Sequence, residues 1–181
     1  MLTDNAIMLK VKAGQPDHMG LLFERYHRQL YGFLFHMTFK KEVSEDLVQH
    51  TFYKMLKYSH TFTGTGEFVH WMYSIARNVL KDEYKKMNRR QQHDDVDDLA
   101  DVLPGGVHVG EQYEKKEASK ALHKAMEKLS SEQREILTLA RFQELKHAEI
   151  AQIMNTTEGA VKVRVHRAMQ ELKNIYTKME S

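Results

Sequence analysis

The chain has 181 residues, 41% hydrophobic and 29% charged, a balance typical of a soluble protein with one medium domain or two small ones. It contains no cysteine, which excludes disulfides and thiolate metal sites. No apolar run approaches the ~18 residues that a membrane span needs, and the N-terminal segment lacks the apolar core of a secretory signal, so we expect a cytoplasmic protein.

The formal net charge of +2 hides an uneven distribution along the chain. Residues 67–90 hold six Lys or Arg against three acids, and residues 162–178 hold five against one. Residues 91–111 carry six acids and neither Lys nor Arg. This pattern predicts two separate polyanion-binding surfaces on either side of an acidic connector.

The first part of the chain is predicted to be helical. Apolar residues recur at helical spacing over residues 21–39, which indicates a core helix. Ser44 is a candidate N-cap for the next helix, whose buried stripe contains Leu47, Val48, Thr51, Phe52, Met55 and Leu56. Polar and aromatic residues fall on its other side: Asp46, Gln49, His50, Tyr53 and Lys57. That side is either a solvated face or a surface for a partner protein.

Residues 61–67 form a predicted loop with two glycines and three threonines. Phe62 is its only large apolar residue. This side chain either packs into the core or serves as an exposed platform on which a nucleic-acid base stacks.

Residues 68–90 form a long predicted helix with two different sides. Phe68, Met72, Ile75 and Val79 are expected to face the core. The second side carries Trp71, Ser74, Asn78, Lys81 and Lys85, with His70 and Arg77 beside it. Aromatic, amide and cationic groups interleaved on one face are suited to single-stranded or melted DNA, because bases stack and phosphates need counter-charge.

Residues 91–111 are the predicted domain boundary, a flexible acidic linker without the glycine and terminal glutamate spacing of a calcium-binding loop. The next helix, over residues 117–129, is expected to bury Ala118, Ala121, Leu122, Ala125, Met126 and Leu129. Ser130 and Gln133 then fit a capping box that starts a helix running to about Phe142.

Residues 145–172 predict a helix-turn-helix, with the turn at residues 155–157 and Thr157 as N-cap of the second helix. That helix is expected to bury Val161, Val165, Ala168, Leu172 and Ile175. Its exposed side would present Lys162, Val163, His166 and Arg167, and Gly159 would allow close approach to a groove. An exposed valine can contact a thymine methyl group. A C-terminal helix with a merely solvated basic face is the alternative.

Three blocks in this order resemble the bacterial RNA polymerase sigma factors of the extracytoplasmic-function (ECF) kind. They are EDLVQHTFYKML at residues 45–56, FTGTGEFVHWMYSIARN at residues 62–78 and HAEIAQIMNTTEGAVKVRVHRA at residues 147–168. The resemblance covers nearly the whole chain. It implies an all-α fold of two small helical domains, residues 1–90 and 113–181, joined by a flexible acidic linker over residues 91–112.

The resemblance also implies what each segment binds. The first domain would bind core RNA polymerase, at the clamp of the β′ subunit, through Asp46, Leu47, Gln49, His50 and Phe52. It would bind and melt the minus-10 promoter element through Phe62, Thr63, Gly64, Thr65, His70, Trp71, Arg77, Asn78, Lys81 and Lys85. The second would bind the minus-35 element through Glu158, Gly159, Lys162, Val163, Arg164, His166 and Arg167, and the polymerase β flap. An anti-sigma factor, often tied to a membrane, would hold the protein inactive.

Two other classes of protein fit the sequence less well. A stand-alone helix-turn-helix regulator with an N-terminal sensory domain would leave the aromatic and basic side of residues 68–90 unexplained. An enzyme such as a metallohydrolase would need a His-Glu-x-x-His spacing, a phosphate-binding glycine loop or a nucleophile elbow, and none occurs. We therefore expect no catalytic residue, cofactor, metal or small-molecule substrate.

Overall fold

The computed structural model describes residues 1–92 and 111–181, and of residues 111–114 the backbone only. Within these ranges the fold is all-α, as predicted, with eight α-helices and no strand. The helices are α1 (Asp4–Lys12), α2 (Met19–Thr38), α3 (Lys41–Lys57), α4 (Phe68–Gln91), α5 (Glu111–Glu127), α6 (Ser131–Leu137), α7 (His147–Ile153) and α8 (Glu158–Glu180). The chain divides into two compact units, one formed around α1–α4 and the other around α5–α8.

The predicted linker, residues 91–112, falls largely on residues 93–110, which lie outside the described residues. The predicted domain limits, residues 1–90 and 113–181, therefore stay predictions. In the part of the chain that the structure describes, no helix combines the length and apolarity that crossing a bilayer requires.

The core of the N-terminal unit forms where α2 packs against α3 and α3 packs against α4. Phe33 of α2 and Tyr73 of α4 are fully buried, and their rings meet edge to face with centroids 5.4 Å apart. The Gln29 amide donates a hydrogen bond to the Tyr73 hydroxyl at 3.0 Å. Burial raises the pKa of Tyr73, so the phenol stays neutral. The buried side of α4 includes Tyr73 and Ala76, whereas Ile75 is only half-buried.

The predicted N-cap at Ser44 is wrong. Helix α3 begins at Lys41, and Ser44 is fully buried in its first turn. The Ser44 hydroxyl donates to the carbonyl of Lys40 at 2.7 Å and lies 2.8 Å from the Thr38 hydroxyl. A serine whose hydroxyl bonds to the carbonyl four residues back satisfies its own polar group inside a helix, and this explains why it does not mark a helix start.

Helix α1 is tied to α2 through its first residues. Thr3 is its N-cap, and the Thr3 hydroxyl accepts from the amide of Ala6 at 3.2 Å. Asp4 accepts hydrogen bonds from the Tyr26 hydroxyl and from Arg25. Burial, and next the hydrogen bond to Asp4, raise the pKa of Tyr26. The phenol therefore stays protonated and donates a hydrogen bond to the Asp4 carboxylate.

In the C-terminal unit, both predicted caps are confirmed. The Ser130 hydroxyl accepts from the Gln133 amide and the Gln133 side chain accepts from the Ser130 amide, each at 3.2 Å. Thr157 caps α8 by accepting from the amide of Ala160 at 3.1 Å. After Leu137 the helical chain continues as a π-helical segment, Thr138–Phe142, whose first two residues are buried.

The predicted burial of α5 and of the end of α8 is only partly right. Ala125, Met126 and Leu129 are buried, but Leu122 is 37% exposed. On α8 the buried stripe stops at Ala168. Beyond it, Leu172 lines an open groove of about 690 Å³ whose other walls include Leu122, Ala118, Met169 and Tyr176. Periodicity alone could not distinguish a groove wall from a packed interface.

Removing the Ser130 cap should destabilise the C-terminal unit. Ser130→Ala leaves the Gln133 amide without its acceptor, and the loss of such a cap lowers the free energy of unfolding by about 1 kcal/mol. Urea unfolding followed by circular dichroism measures this change. The matched control is Ser131→Ala at the exposed first position of α6, which should cost nothing. Equal stability of the two variants would contradict a role for the capping box.

Candidate nucleic-acid interface

The exposed side of α4 brings together the predicted aromatic, amide and cationic groups. Asn78, Lys81 and Lys85 are exposed, and Trp71 is half-buried about two turns before Asn78. The opposite side packs into the core through Phe68, Met72 and Val79. Because residues 71, 78, 81 and 85 lie on one face of a rigid helix, they form a continuous strip, which we call the α4 strip. The neighbouring His70, Ser74 and Arg77 are half-buried.

The loop at residues 62–67 begins with a buried aromatic ring. Phe62 is only 3% exposed, and its ring lies 5.2 Å from Trp71 and 6.3 Å from Phe68. Of the two alternatives for Phe62, packing into the core is therefore confirmed, and the ring is not an exposed stacking platform. Trp71 keeps a reachable surface and donates from Nε1 to the Thr61 hydroxyl at 3.3 Å. It is the better candidate for stacking on a base.

The exposed part of this loop includes two threonines on either side of a half-buried glycine. Thr63 and Thr65 are exposed, and their hydroxyls lie 2.8 Å apart. Gly64 between them adopts a φ of 76°, a left-handed conformation that side chains rarely tolerate. Two hydroxyls and the backbone groups of a tight turn can offer a base both donors and acceptors.

The outward side of α3 carries the polar and aromatic residues that the sequence placed there. Asp46 and Gln49 are exposed and His50 is half-buried, but Leu47 and Phe52 are only 4% and 6% exposed. The predicted burial of Leu47 and Phe52 is therefore confirmed, and their part in binding a partner stays a prediction. Tyr53 is 57% exposed, with its ring centroid 6.3 Å from that of His50. Its position opposite the buried stripe was the sequence signal for including it.

In the C-terminal unit, α7, a short turn and α8 form the predicted helix-turn-helix. Asn155 in the turn has a φ of 51°, a conformation that asparagine adopts more readily than most residues. Ile150 of α7 and Val161 and Val165 of α8 are buried. The turn and the buried stripe therefore fix which side of α8 faces outward.

That outward side presents most of the predicted residues. Val163 is 49% exposed, and the others are exposed as well: Glu158, Gly159, Lys162, His166 and Arg167. Arg164 is different, because it is half-buried and lies 3.7 Å from Glu132 of α6 in an ion pair. The sequence did not predict this pair, since the two residues are distant along the chain. The two side chains are 42% and 68% exposed, so solvent screens the pair and it adds little stability.

The exposed cations and the aromatic ring on these surfaces suit the binding of a polyanion. Among the described residues there is no group of three or more His, Cys, Asp or Glu that could hold a metal ion. Cations on helix faces attract phosphates, an aromatic ring supports stacking, and the helix-turn-helix fits a major groove. The fold and its surfaces are those of a helical, two-unit protein that binds nucleic acid.

Comparison with known proteins identifies the family. A family model of sigma-70 region 2 matches residues 22–91, and one of sigma-70 region 4 matches residues 119–172. The chain is 30% identical to the ECF RNA polymerase sigma factor SigX of Bacillus subtilis, over 84% of this chain and 80% of SigX. It is 29% identical to the ECF RNA polymerase sigma factor BldN of Streptomyces coelicolor, over 96% of this chain and 67% of BldN.

Solved structures show the same fold. The sigma factor RpoE of Bartonella quintana, in complex with the anti-sigma factor NepR, superposes with a TM-score of 0.71 at 24% identity, over 87% of this chain and 96% of that one. CnrH, in complex with the cytosolic domain of CnrY, gives a TM-score of 0.70 at 19% identity over 97% of both chains. The chain belongs to the ECF family of RNA polymerase sigma factors, which direct transcription initiation.

Trp71 offers a direct spectroscopic test of the α4 strip, because it is the only tryptophan in the chain. A single-stranded DNA oligonucleotide that stacks on the ring should quench its fluorescence, and the effect should weaken with added salt as phosphate contacts are screened. Titration at low salt measures this. Lys81→Ala should weaken the quenching, whereas Lys41→Ala, at the start of α3, should not. Unchanged emission at saturating DNA would exclude Trp71 from the interface.

Proposed function

We propose that this sigma factor holds promoter DNA at two points, through the α4 strip and through the outward side of α8, while α3 binds core RNA polymerase. The observation that carries the proposal is the α4 strip, in which a tryptophan, an amide and two lysines share one exposed helix face. A protein that only read closed duplex DNA would need no stacking surface beside its cations.

At the minus-10 element, a base extruded from the duplex would enter the loop at Thr63, Gly64 and Thr65. The two hydroxyls, 2.8 Å apart, would bond to its edge. Trp71 would stack on the melted strand, and Asn78, Lys81 and Lys85 would follow its backbone, with His70 and Arg77 beside them. The buried Phe62 would not contact DNA but would hold the loop and the Trp71 ring in position through core packing.

At the minus-35 element, α8 would enter the major groove with its N-terminal half. Glu158 and Gly159 lie at its start, where a small residue allows close approach, and the exposed Val163 suits a thymine methyl group. Lys162, His166 and Arg167 would bind phosphates or base edges. Arg164 would join them only by leaving Glu132, which costs little for an exposed pair.

Polymerase binding is proposed for the exposed residues of α3, namely Asp46, Gln49, His50 and Tyr53, at the clamp of the β′ subunit. The buried Leu47 and Phe52 would act indirectly by holding α3 in place. The C-terminal unit would contact the β flap. An anti-sigma factor is proposed as the inhibitor, in keeping with the family and with a solved sigma factor of this fold that is bound to one.

Trp71→Ala should test the proposed function most directly. With core polymerase added, the wild-type protein should direct run-off transcription from a subset of promoters in the source genome. Trp71→Ala should slow strand opening more than initial promoter binding, because stacking on a base is worth about 1–3 kcal/mol only after the strand has melted. Trp71→Phe, which keeps an aromatic ring, is the control. Equal loss of binding and opening would argue that Trp71 only fills the core.

Arg167→Ala should weaken promoter binding and reduce its salt dependence. Each lost phosphate contact lowers the slope of log K against log salt by about 0.9. Binding of the polymerase complex to promoter DNA at several salt concentrations measures the slope. Lys178→Ala, which removes a charge three turns further along α8, is the matched control and should leave the slope unchanged. The same slope in Arg167→Ala and wild type would remove Arg167 from the phosphate contacts.

A further inference from the structure

One face of α1 lies against the loop at residues 62–67. Asn5, Leu9 and Lys12 are spaced four and three residues apart, so they share one side of the helix. Each of the three meets a different part of the loop or of the start of α4. The three sequence blocks that carry the family resemblance begin at residue 45, and the region 2 family model begins at residue 22, so neither includes α1.

Asn5 makes the most contacts. Its side-chain Nδ2 donates to the carbonyl of Gly66 at 2.8 Å and, at a longer 3.4 Å, to that of Gly64. Its Oδ1 accepts from the backbone amide of Phe68 at 2.8 Å. The partners fix the orientation of the side-chain amide, because carbonyls need its NH₂ group and the backbone amide needs its oxygen.

The bond to Phe68 replaces a missing cap. Phe68 is the first residue of α4, and the residue before it, Glu67, makes no side-chain cap hydrogen bond. The first amides of a helix lack intrahelical acceptors, so Asn5 supplies one from 63 residues away. The same side chain therefore joins the end of the loop to the start of the α4 strip.

Leu9 and Lys12 extend the contact along the loop. A Cβ atom placed on Gly64 would lie 3.2 Å from Leu9 Cδ2, so the Leu9 side chain packs closely over this glycine. The Lys12 ammonium donates to the carbonyl of Phe62 at 2.7 Å. The carbonyls of Phe62, Gly64 and Gly66 thus bond to α1, while the alternate residues Thr63 and Thr65 keep exposed side chains.

We infer that α1 is a brace for the loop, and that Asn5 and Lys12 are positioning residues that set base preference at the minus-10 element without touching the base. A loop with two glycines has many conformations to lose, and holding it in one shape beforehand reduces the entropic cost of capturing a base. The brace rests on the proposed function of the loop, and it adds a source of specificity outside the DNA-binding surfaces.

Two substitutions at Asn5 separate the brace from the helix cap. Asn5→Asp keeps an oxygen that can accept from Phe68 and suits a helix N-terminus, but it removes the donors to Gly64 and Gly66. Asn5→Ala removes both functions. The Tm should stay near the wild-type value in Asn5→Asp and fall by roughly 4–8 °C in Asn5→Ala.

The decisive measurement is initiation by the protein with core polymerase on a promoter library randomised at the minus-10 and minus-35 elements. Both Asn5 variants should lose about threefold to tenfold in base preference at the minus-10 position that the loop reads, the effect of one or two hydrogen bonds. Preference at the minus-35 element should not change. Wild-type minus-10 preference in Asn5→Asp would overturn the brace and leave Asn5 as a helix cap only.

A matched pair of lysines provides the control. Lys12→Met should reduce the minus-10 preference, because Lys12 bonds to the loop, whereas Lys10→Met removes the same charge from another side of α1 and should not. Equal effects of the two would overturn the brace as well. If the wild-type protein shows no minus-10 preference in the library, the proposed function of the loop is itself wrong. The inferred effect of α1 on base preference then fails with it.

Discussion

The N-terminal unit depends on the burial of Phe68 at the first position of α4. The ring is 1% exposed, with its centroid 5.4 Å from Tyr26 and 6.3 Å from both Phe62 and Trp71. Each neighbour leads to a different part of the surface. Tyr26 connects to α1 through Asp4, Phe62 begins the loop, and Trp71 starts the α4 strip. Because aromatic rings in a dense core have little freedom, one apolar cluster sets the relative positions of all three.

The same construction serves both proposed DNA-binding surfaces. In α4 and α8 an apolar stripe packs into the unit and the opposite side carries cations to the solvent. A side chain on a packed helix is held more precisely than one on a free loop, which matters where bases are distinguished by ångström-scale contacts. The net charge of only +2 also limits the general attraction for DNA, so that the local arrangement of charge counts for more.

Features that depend on neighbouring residues could be predicted from the sequence. The caps at Ser130 and Thr157, the exposed side of α8 and the α4 strip all follow from short-range hydrogen bonding or helical periodicity. Three of the features that could not be predicted show why. Ser44 resembles a cap because a hydroxyl can bond either forward at a helix start or back to a carbonyl inside the helix.

The other two details depend on contacts across the fold. The loop has no periodicity, so nothing in its sequence shows how deeply Phe62 is buried. Asn5 is an ordinary polar residue of a weakly amphipathic helix, and its role arises from residues about 60 positions later. Tertiary contacts of this kind require the folded topology.

The separation between Asn5 and Phe68 also bears on how the protein is made. Helix α1 is synthesised first. The groups that bond to its Asn5 side chain, the carbonyls of Gly64 and Gly66 and the amide of Phe68, follow 59–63 residues later. At about 5–20 residues per second, the ribosome needs roughly 3–13 s to supply them. During that time α1 can pack on α2 but not yet on α4, with which it is also in contact in the folded unit. The loop therefore takes its final shape when α4 begins to emerge, and a nascent chain stalled before that point would lack it.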